Sequence, residues 1–322
     1  MNECGGGLKA RTWLMAAVLV ALMAGCGSRD EIFGTTGAAG GAAGAGGPGP
    51  AGPAPALGAA APFGFFSSAA LTGEGDDPNS RITGDAGTTS TASSITGFHD
   101  GGGNSFTETC PTLGTASGCG LVTGTIFASD EPVADGGATA TAAAAAALAA
   151  FNDLSPAQRP GGLDVRTNSL AGAGGLPGEL GGRTLAPGIY YSGAGGVAAY
   201  AITTGDLTLD AQGNADAVWV FQMDSTLLVS SPTGPLLTVP RTVQPINGAQ
   251  AKNVFWYAPG GATINTGSNM VGTIISDASI TFGTSDTRDP PPASAITTLN
   301  GRALVLSAGA TLVNTQIIVP AP

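Results

Sequence analysis

The stretch ATINTGSNMVGTIIS (262–276), followed almost at once by ASITFGTS (278–285), carries the pattern that decides the fold. Each run places an isoleucine between small or hydroxyl-bearing residues, so that alternate side chains face opposite sides of a strand. Sixteen residues separate Thr263 from Ser279, and Gly, Asn and Asp interrupt the chain between the apolar runs. Alternation bounded by turn residues predicts short β-strands.

The same form recurs through the C-terminal part of the chain, as an apolar strand after a small residue, a turn and a second strand. Nineteen residues separate Leu207 from Thr226, and the longer intervals hold Pro-rich insertions. A period in the high teens with two or three short strands suits one turn of a β-solenoid. The segments that share this form are DLTLDAQGNADAVWVFQ (206–222), STLLVSS (225–231), ATINTGSNMVGTIIS (262–276), ASITFGTS (278–285) and ATLVNTQIIVP (310–320).

Alignment of these repeats predicts one inward and two outward columns of side chains. The inward, apolar column consists of Leu207, Leu227, Ile264, Ile280 and Leu312. The outward residues predicted to form a flat grid are Thr226, Thr263, Ser279 and Thr311, with Thr208, Asn265 and Thr281 beside them. Thr also has a high β propensity on wet strand faces, so the grid by itself fits either a binding surface or an ordinary exposed face.

The composition excludes several classes of protein. Hydrophobic residues make up 43% of the 322 residues, which is enough for a core, whereas the charged fraction of 10% is too low for a coiled coil. The net charge of −11 argues against a nucleic-acid surface, and the one histidine, His99, argues against a His-rich metal site. The carboxylates fall mostly at predicted turns, which is an ordinary place for Asp. We therefore predict no enzyme, no metal site and no cofactor.

One helix interrupts the strand pattern. The residues from Asp135 to Leu154 include ATATAAAAAALAAFNDL, and Ala is the strongest helix former. Pro156 ends the segment. Because an Ala-rich helix of this length is marginal alone, we expect it to pack on the strands, with Leu148, Phe151 and Leu154 as its larger anchors.

The N-terminus has the form of an export signal. Lys9 and Arg11 precede the apolar run WLMAAVLVALMAG (13–25), which is too short to cross a bilayer and ends at Cys26. The ending resembles a bacterial lipobox, which predicts a signal peptide over 1–25, acylation of Cys26 and display at the outer membrane or cell surface. The alternative is an ordinary signal peptide with a chance cysteine.

A segment rich in Gly, Ala and Pro follows the predicted anchor. Residues 26–62 show no apolar periodicity, and such a composition is typical of a mobile linker. We therefore predict a tether over 26–62 and a folded domain over 63–322.

Long motifs in the predicted domain resemble the microbial ice-binding proteins, a family long catalogued as a domain of unknown function. The resemblance rests on GRTLAPGIYY (182–191), LTLDAQGNADAVWVFQM (207–223), NGAQAKNVFWYAPGGATINTGSNMVGTIIS (247–276) and NGRALVLSAGATLVNTQIIVP (300–320). It is looser at ITGDAGT (82–88), SITGF (94–98) and VTGTIFASDE (122–131).

The resemblance implies a right-handed, discontinuous β-solenoid of triangular section with the helix packed alongside. It also implies that the N-terminal coil lies beside the C-terminal coils. The function implied is adsorption to ice by a monomer, through a flat face rich in Thr and Ser. Within TGSN (266–269), Thr266 and Asn269 match a pattern found on ice-binding faces in some members. The alternative function is a cell-surface adhesin or matrix protein with the same fold and no affinity for ice.

The chain departs from the family at its cysteines. Many members have a Cys where Lys252 stands, and here an insertion over 101–120 carries Cys110 and Cys119 instead. In an exported protein these two residues can close a small loop by a disulfide, or they can remain two free thiols.

Overall fold

The strands pair in parallel in the computed structural model, which describes residues 48–73, 80–100, 119–164, 178–193, 199–230, 239–283 and 296–322. In chain order they are β1 (Phe63–Ser67), β2 (Leu71–Gly73), β3 (Arg81–Thr83), β4 (Asp85–Thr88), β5 (Ile95–Thr96), β6 (Phe98–Asp100), β7 (Gly120–Val122), β8 (Ile126–Phe127), β9 (Leu163–Asp164), β10 (Thr184–Leu185), β11 (Gly188–Tyr191), β12 (Tyr200–Ile202), β13 (Leu207–Asp210), β14 (Trp219–Gln222), β15 (Leu227–Val229), β16 (Val243–Ile246), β17 (Val254–Tyr257), β18 (Ala262–Ile264), β19 (Asn269–Ser276), β20 (Ile280–Phe282), β21 (Thr297–Val305), β22 (Ala310–Leu312) and β23 (Thr315–Ile318). One α-helix, α1, covers Ala138–Leu154.

Each coil of the chain contributes a strand to three faces in turn. The seven-stranded face has the order β12-β15-β18-β20-β22-β2-β5. The helix face contains β9, β11, β14 and β17, the second halves of β19 and β21, and then β1, β4 and β8. The third face contains β10, β13 and β16, the first halves of β19 and β21, and then β23, β3, β7 and β6. The predicted mainly-β solenoid is confirmed, and its handedness stays a prediction.

The order of the rungs does not follow the chain. The N-terminal strands β1, β2 and β3 pair with the C-terminal strands β21, β22 and β23. The first coil therefore stacks on the last one, as the family resemblance implies.

Glycines allow two long strands to bend around the corner between the third face and the helix face. Gly272 in β19 has φ +104°, and a Cβ atom there would lie 2.5 Å from the carbonyl oxygen of Val254. Gly301 in β21 lies opposite Gly272, and a Cβ atom at Gly301 would collide with the carbonyl oxygen of Gly272. A side chain at either position would push the rungs apart.

Stacked rings fill the interior of the coils. The Tyr190 and Phe221 rings lie 5.4 Å apart at 19°, and the Phe221 and Trp256 rings lie 4.1 Å apart at 11°. These residues occupy successive rungs, because β11 pairs with β14 and β14 with β17. A ladder of flat rings across three rungs leaves little freedom for one rung to slide on the next.

The helix contacts the solenoid mainly through alanines. Ala140, Ala143, Ala147 and Ala150 are buried at the three- and four-residue spacing of one helical face. Of the predicted anchors, Leu154 is buried and Phe151 stacks on Tyr257 at 4.4 Å.

The prediction for Leu148 is wrong, because its side chain is 49% exposed. Small side chains bring the helix close to the strands, and Leu148 lies on the opposite side.

No helix among the described residues has the length and apolarity to cross a membrane.

The predicted tether is too long at its C-terminal end. Contacts group the residues from Ala45 to Pro322 into one compact unit. Ala51 and Ala60 are buried in the same cluster as the alanine face of α1. The residues that pack in 48–62 are mainly small ones, Ala51 and Ala60, so no apolar periodicity marks the contact in the sequence. Residues 26–47 lie outside the described residues.

Candidate functional site

The seven-stranded face presents a column of threonines to solvent. Each three-residue strand of this face points its first and third residues inward and its second outward, as in β18, β20 and β22, and the two-residue β5 follows the same order with Ile95 inward and Thr96 outward. The register places Thr281 opposite both Thr263 and Thr311, and Thr72 opposite both Thr311 and Thr96. In rung order, the threonine ladder is Thr263, Thr281, Thr311, Thr72 and Thr96.

The ladder joins residues from distant parts of the chain. With about 4.8 Å between rungs, five rungs span about 19 Å. Thr72 and Thr96 were not among the predicted site residues, because they become neighbours of Thr311 only when the N-terminal coil stacks on the last coil. The triplets Leu71-Thr72-Gly73 and Ile95-Thr96-Gly97 share an apolar-Thr-Gly form, which is the sequence signal that identifies them.

The same outward column continues into two apolar rungs. Leu228 lies opposite Thr263, and Ala201 lies opposite Leu228. Both side chains are half-buried. The threonines therefore occupy five of the seven rungs, and the end nearest β12 is smooth and apolar.

Two predicted residues lie on this face but outside the ladder. Thr226 and Ser279 are exposed and stand one residue before β15 and β20. They are level with Gly261, whose carbonyl oxygen accepts from the N–H of Leu227 at 3.0 Å. Two residues along a strand correspond to about 6.7 Å, so Thr226 and Ser279 form a shorter row beside the ladder.

Two other predictions placed residues on the wrong surface, and a buried residue was assigned to the wrong face. Asn265 is only 4% exposed, and its Nδ2 donates to the carbonyl oxygens of Val229 at 3.2 Å and Ser230 at 3.0 Å. Thr208 lies on the third face, opposite Gln244, and Leu207 is buried beneath that face instead of the seven-stranded one. The insertions between coils shifted the alignment of the repeats, which is why strands from two faces entered one column.

The TGSN motif lies at the corner between the seven-stranded face and the third face, outside the threonine ladder. Gly267 has φ +77°, and Ser268 is fully buried. Thr266 is half-buried in the turn, whereas Asn269 begins β19 on the third face. The Oδ1 atom of Asn269 accepts from the Thr298 hydroxyl at 2.6 Å. A Thr-Gly turn followed by Asn suits a bend between two faces as well as an exposed strand.

Buried hydroxyls fix the corner where the chain enters the seven-stranded face. Ser67 Oγ donates to the carbonyl oxygen of Ala308 at 2.6 Å and accepts from the N–H groups of Ala69 and Ala70, both at 3.2 Å. Ser276 Oγ accepts from the N–H of Ala278 at 3.1 Å in the same way. These bonds fix the position at which two of the coils enter the face.

Among the described residues, the charges nearest the seven-stranded face lie at its margins. The ladder and the row beside it contain no charged residue. Asp224 accepts from the Tyr191 hydroxyl at 2.8 Å at the corner next to the helix face. Burial, with Asp224 and Asp277 nearby, raises the pKa of Tyr257 there.

The third face is less uniform than the seven-stranded one. It carries Asp206, Arg81, Gln316 and the exposed Ile318. The Asp206 carboxylate accepts from the Thr242 N–H at 2.9 Å. Mixed charges and long side chains there leave the seven-stranded face as the better flat, uncharged surface.

The remaining predictions concern metals and cysteines. Within the described residues, no group of three or more His, Cys, Asp or Glu side chains is placed to hold a metal ion. Cys119 is disulfide-bonded. Its predicted partner Cys110 and the predicted acylation site Cys26 lie outside the described residues, so the pairing and the acylation stay predictions.

Known proteins with similar sequences carry names that refer to ice. The model of the ice-binding-like family matches residues 65–318. An ice-binding protein of Flavobacterium frigoris is 31% identical over 263 residues, which cover 81% of this chain and 75% of that protein. An ice-binding protein of Typhula ishikariensis is 30% identical over 229 residues, covering 70% and 78%. Ice-binding protein 1 of Shewanella frigidimarina is 37% identical over 98 residues, and the match spans 30% of this chain and 10% of that protein.

Solved structures share the fold at similar identities. A domain of the Shewanella frigidimarina ice-binding protein 1 has a TM-score of 0.59 at 26% identity, covering 84% of this chain and 98% of that one. An ice-binding protein of the Antarctic ascomycete Antarctomyces psychrotrophicus has a TM-score of 0.58 at 28% identity, covering 84% and 100%. The family match over most of the folded unit, together with these relatives, places the chain in the ice-binding-like family.

Proposed function

We propose that the protein adsorbs to ice through the threonine ladder of its seven-stranded face. The observation that supports this most strongly is the run of threonines in five successive rungs, on a face whose described outward residues carry no charge. The proposed action is adsorption by a monomer, without a catalytic step or a cofactor.

The chemistry of threonine suits this role. Each hydroxyl can hold one ordered water molecule, and each methyl group limits where the next water can settle. The β-branched side chain has a restricted χ1 angle, so the hydroxyl positions repeat with the rungs. Charged side chains would bind water more strongly and in other directions, which would disturb a lattice-like layer.

Ice crystal growth tests the proposal directly. The chain from residue 27 onward, which retains the whole unit Ala45–Pro322, is purified and added to a single ice crystal at small undercooling. Crystal shaping, a freezing gap and uptake into a growing ice hemisphere are expected. If the folded protein does none of these, the adhesin or matrix alternative replaces ice binding. Light scattering on the same sample tests whether the protein is a monomer.

We further propose that a lipid on Cys26 displays the ice-binding face at the cell surface. The proposal rests on the apolar run that ends at Met23-Ala24-Gly25-Cys26. In cells labelled with a palmitate analogue, the wild-type protein should carry the label. The Cys26→Ser variant should not carry it and should leave the membrane fraction. Unchanged membrane association of Cys26→Ser would contradict the anchor and leave ice binding unaffected.

A further inference from the structure

The N-terminal strap, residues 48–62, runs along the helix face before the first strand begins. Its start lies against β11, where the carbonyl oxygen of Gly49 accepts from the Ile189 N–H at 3.1 Å. Its end lies against β21, where Arg302 Nε donates to the carbonyl oxygen of Ala61 at 2.7 Å. Five rungs lie between and including β11 and β21, so the strap crosses about 19 Å of the stack.

The strap also packs on the helix. Ala51 and Ala60 are buried, and Leu57 packs against the same cluster. Gly58 begins a 3₁₀ turn with φ +46°, and a Cβ atom there would lie 3.5 Å from the Cβ of Ala146. The helix alanines are therefore covered by the solenoid and, beside it, by the strap.

Arg159 joins the strap to both other parts. Its Nη1 atom donates to the carbonyl oxygens of Ala51 at 2.6 Å and Pro53 at 2.9 Å. Its Nη2 atom donates to the Asp153 carboxylate at 2.5 Å, and its side chain is only 10% exposed. Arginine suits this position because its planar fork reaches several acceptors at once, whereas lysine offers a single charged point.

The backbone of Arg159 continues the junction into the solenoid. Gln222 Nε2 donates to the carbonyl oxygens of Arg159 and Leu154, both at 2.9 Å. Gln222 is fully buried in β14. One residue thus connects the strap, the C-terminal end of α1 and a rung of the stack.

We infer that the strap and Arg159 form a mechanical clamp between the proposed N-terminal anchor and the ice-binding face. The inference rests on the proposed function, in which the chain is held at its N-terminus and bound to ice at its seven-stranded face. Tension between the two attachments enters the folded unit at the strap, and the Arg159 junction passes it to the helix and the stack. Without the junction, the strap would peel from the helix before the coils unfold.

Single-molecule force spectroscopy tests the clamp. The full chain carries one handle at Gly47 and one after Pro322, so that tension passes through the strap. The 15 residues of 48–62 have an extended length of about 50 Å, of which about 19 Å is already spanned. Peeling of the strap would therefore appear as an early step of roughly 30 Å.

The wild type is expected to show no early step below the force at which the coils unfold. Arg159→Ala and Arg159→Lys are both expected to show it, because neither presents one nitrogen to the two carbonyl groups and a second nitrogen to Asp153. Arg81→Ala, which removes an exposed arginine from the third face, is the matched control and should behave as the wild type. Arg159→Lys decides the question if Arg159→Ala does not fold.

Two results would overturn the clamp: an early step in the wild type that Arg159→Ala leaves unchanged, or an Arg159→Lys trace identical to that of the wild type. The freezing gap of folded Arg159→Lys, measured without tension, should equal that of the wild type. If the wild type shows no freezing gap, the proposed function fails, and the force traces still decide whether the strap is clamped.

Discussion

Replacing the central threonine of the ladder should abolish most of the ice-binding activity without unfolding the protein. Thr311 lies between Thr281 and Thr72, so Thr311→Tyr places a ring in the middle of the five rungs. The ring divides a surface of about 19 Å into two pairs of threonines, each pair spanning about 4.8 Å. A rigid ice surface that meets the protruding ring can contact one pair at most.

The size of the effect follows from the rungs that are lost. One pair retains two of the five hydroxyl contacts, so three are lost. At about 1 kcal/mol for each hydrogen bond, the loss is about 3 kcal/mol, or roughly a hundredfold in an equilibrium constant. Roughly a hundredfold more variant should be needed to produce the same freezing gap. The stability should change by less than about 0.5 kcal/mol, because Thr311 is a surface position and Tyr is a good strand former.

The matched control is Thr208→Tyr. Thr208 is also a half-buried threonine in the second position of a parallel strand, but it lies on the third face. Freezing gaps of both variants are measured over a concentration series, with circular dichroism to confirm folding. If Thr311→Tyr kept the wild-type freezing gap and Thr208→Tyr lost it, the choice of face would be refuted. If both variants kept the wild-type freezing gap, the ladder would not be the adsorbing surface.

Three further substitutions test other parts of the structure. Leu228→Thr extends the ladder from five rungs to six and should widen the freezing gap at equal concentration; a narrower gap would mean that the apolar rung contacts ice as a methyl surface. Ala143→Leu overpacks the contact between helix and strands and should cost about 1–3 kcal/mol of stability, with roughly 2–4 °C of melting temperature lost per kcal/mol. The control Ala145→Leu, at an exposed position of the same helix, should change the melting temperature little. Burial raises the pKa of Tyr190, so the folded state resists ionisation of this phenol more than the unfolded state does. Its contribution to stability is complete below about pH 10 and is lost as the pH rises further, and in Tyr190→Phe this part of the alkaline loss should disappear from denaturant titrations.

The class of fold could be predicted from the sequence because its signals are local. Alternating apolar residues predicted the strands, and the alanine run predicted α1 and its end at Leu154. The inward prediction for Leu207, Leu227, Ile264, Ile280 and Leu312 is confirmed by their burial. The prediction that they form one column is wrong, because Ile280 pairs with Ala262 and Ala310, whereas Ile264 and Leu312 both pair with Phe282. Each of these signals depends on residues within one strand or one helix.

The surface columns could not be predicted in full, because they depend on which strands become neighbours. Thr263, Thr281 and Thr311 come from nearby coils, and their outward orientation follows from alternation alone. Thr72 belongs to the same ladder only through a pairing across most of the chain. The burial of Ala51 likewise depends on a helix that follows it by almost ninety residues, and nothing in the local composition indicates that contact.

The pairing of the first coil with the last one couples the ladder to the closure of the whole solenoid. On the seven-stranded face the Ala310 N–H donates to the carbonyl oxygen of Ala70 at 2.8 Å, and on the third face the Thr315 N–H donates to Ser80 Oγ at 3.1 Å. At the corner between the helix face and the seven-stranded face, Ser67 reaches Ala308. These bonds connect residues more than 230 positions apart, so they cannot form until both parts of the chain have folded. Two of the five ladder threonines lie beyond this seam. The flat surface is therefore a property of the closed solenoid, and damage to the N-terminal coil would shorten the ladder even if every C-terminal coil remained intact.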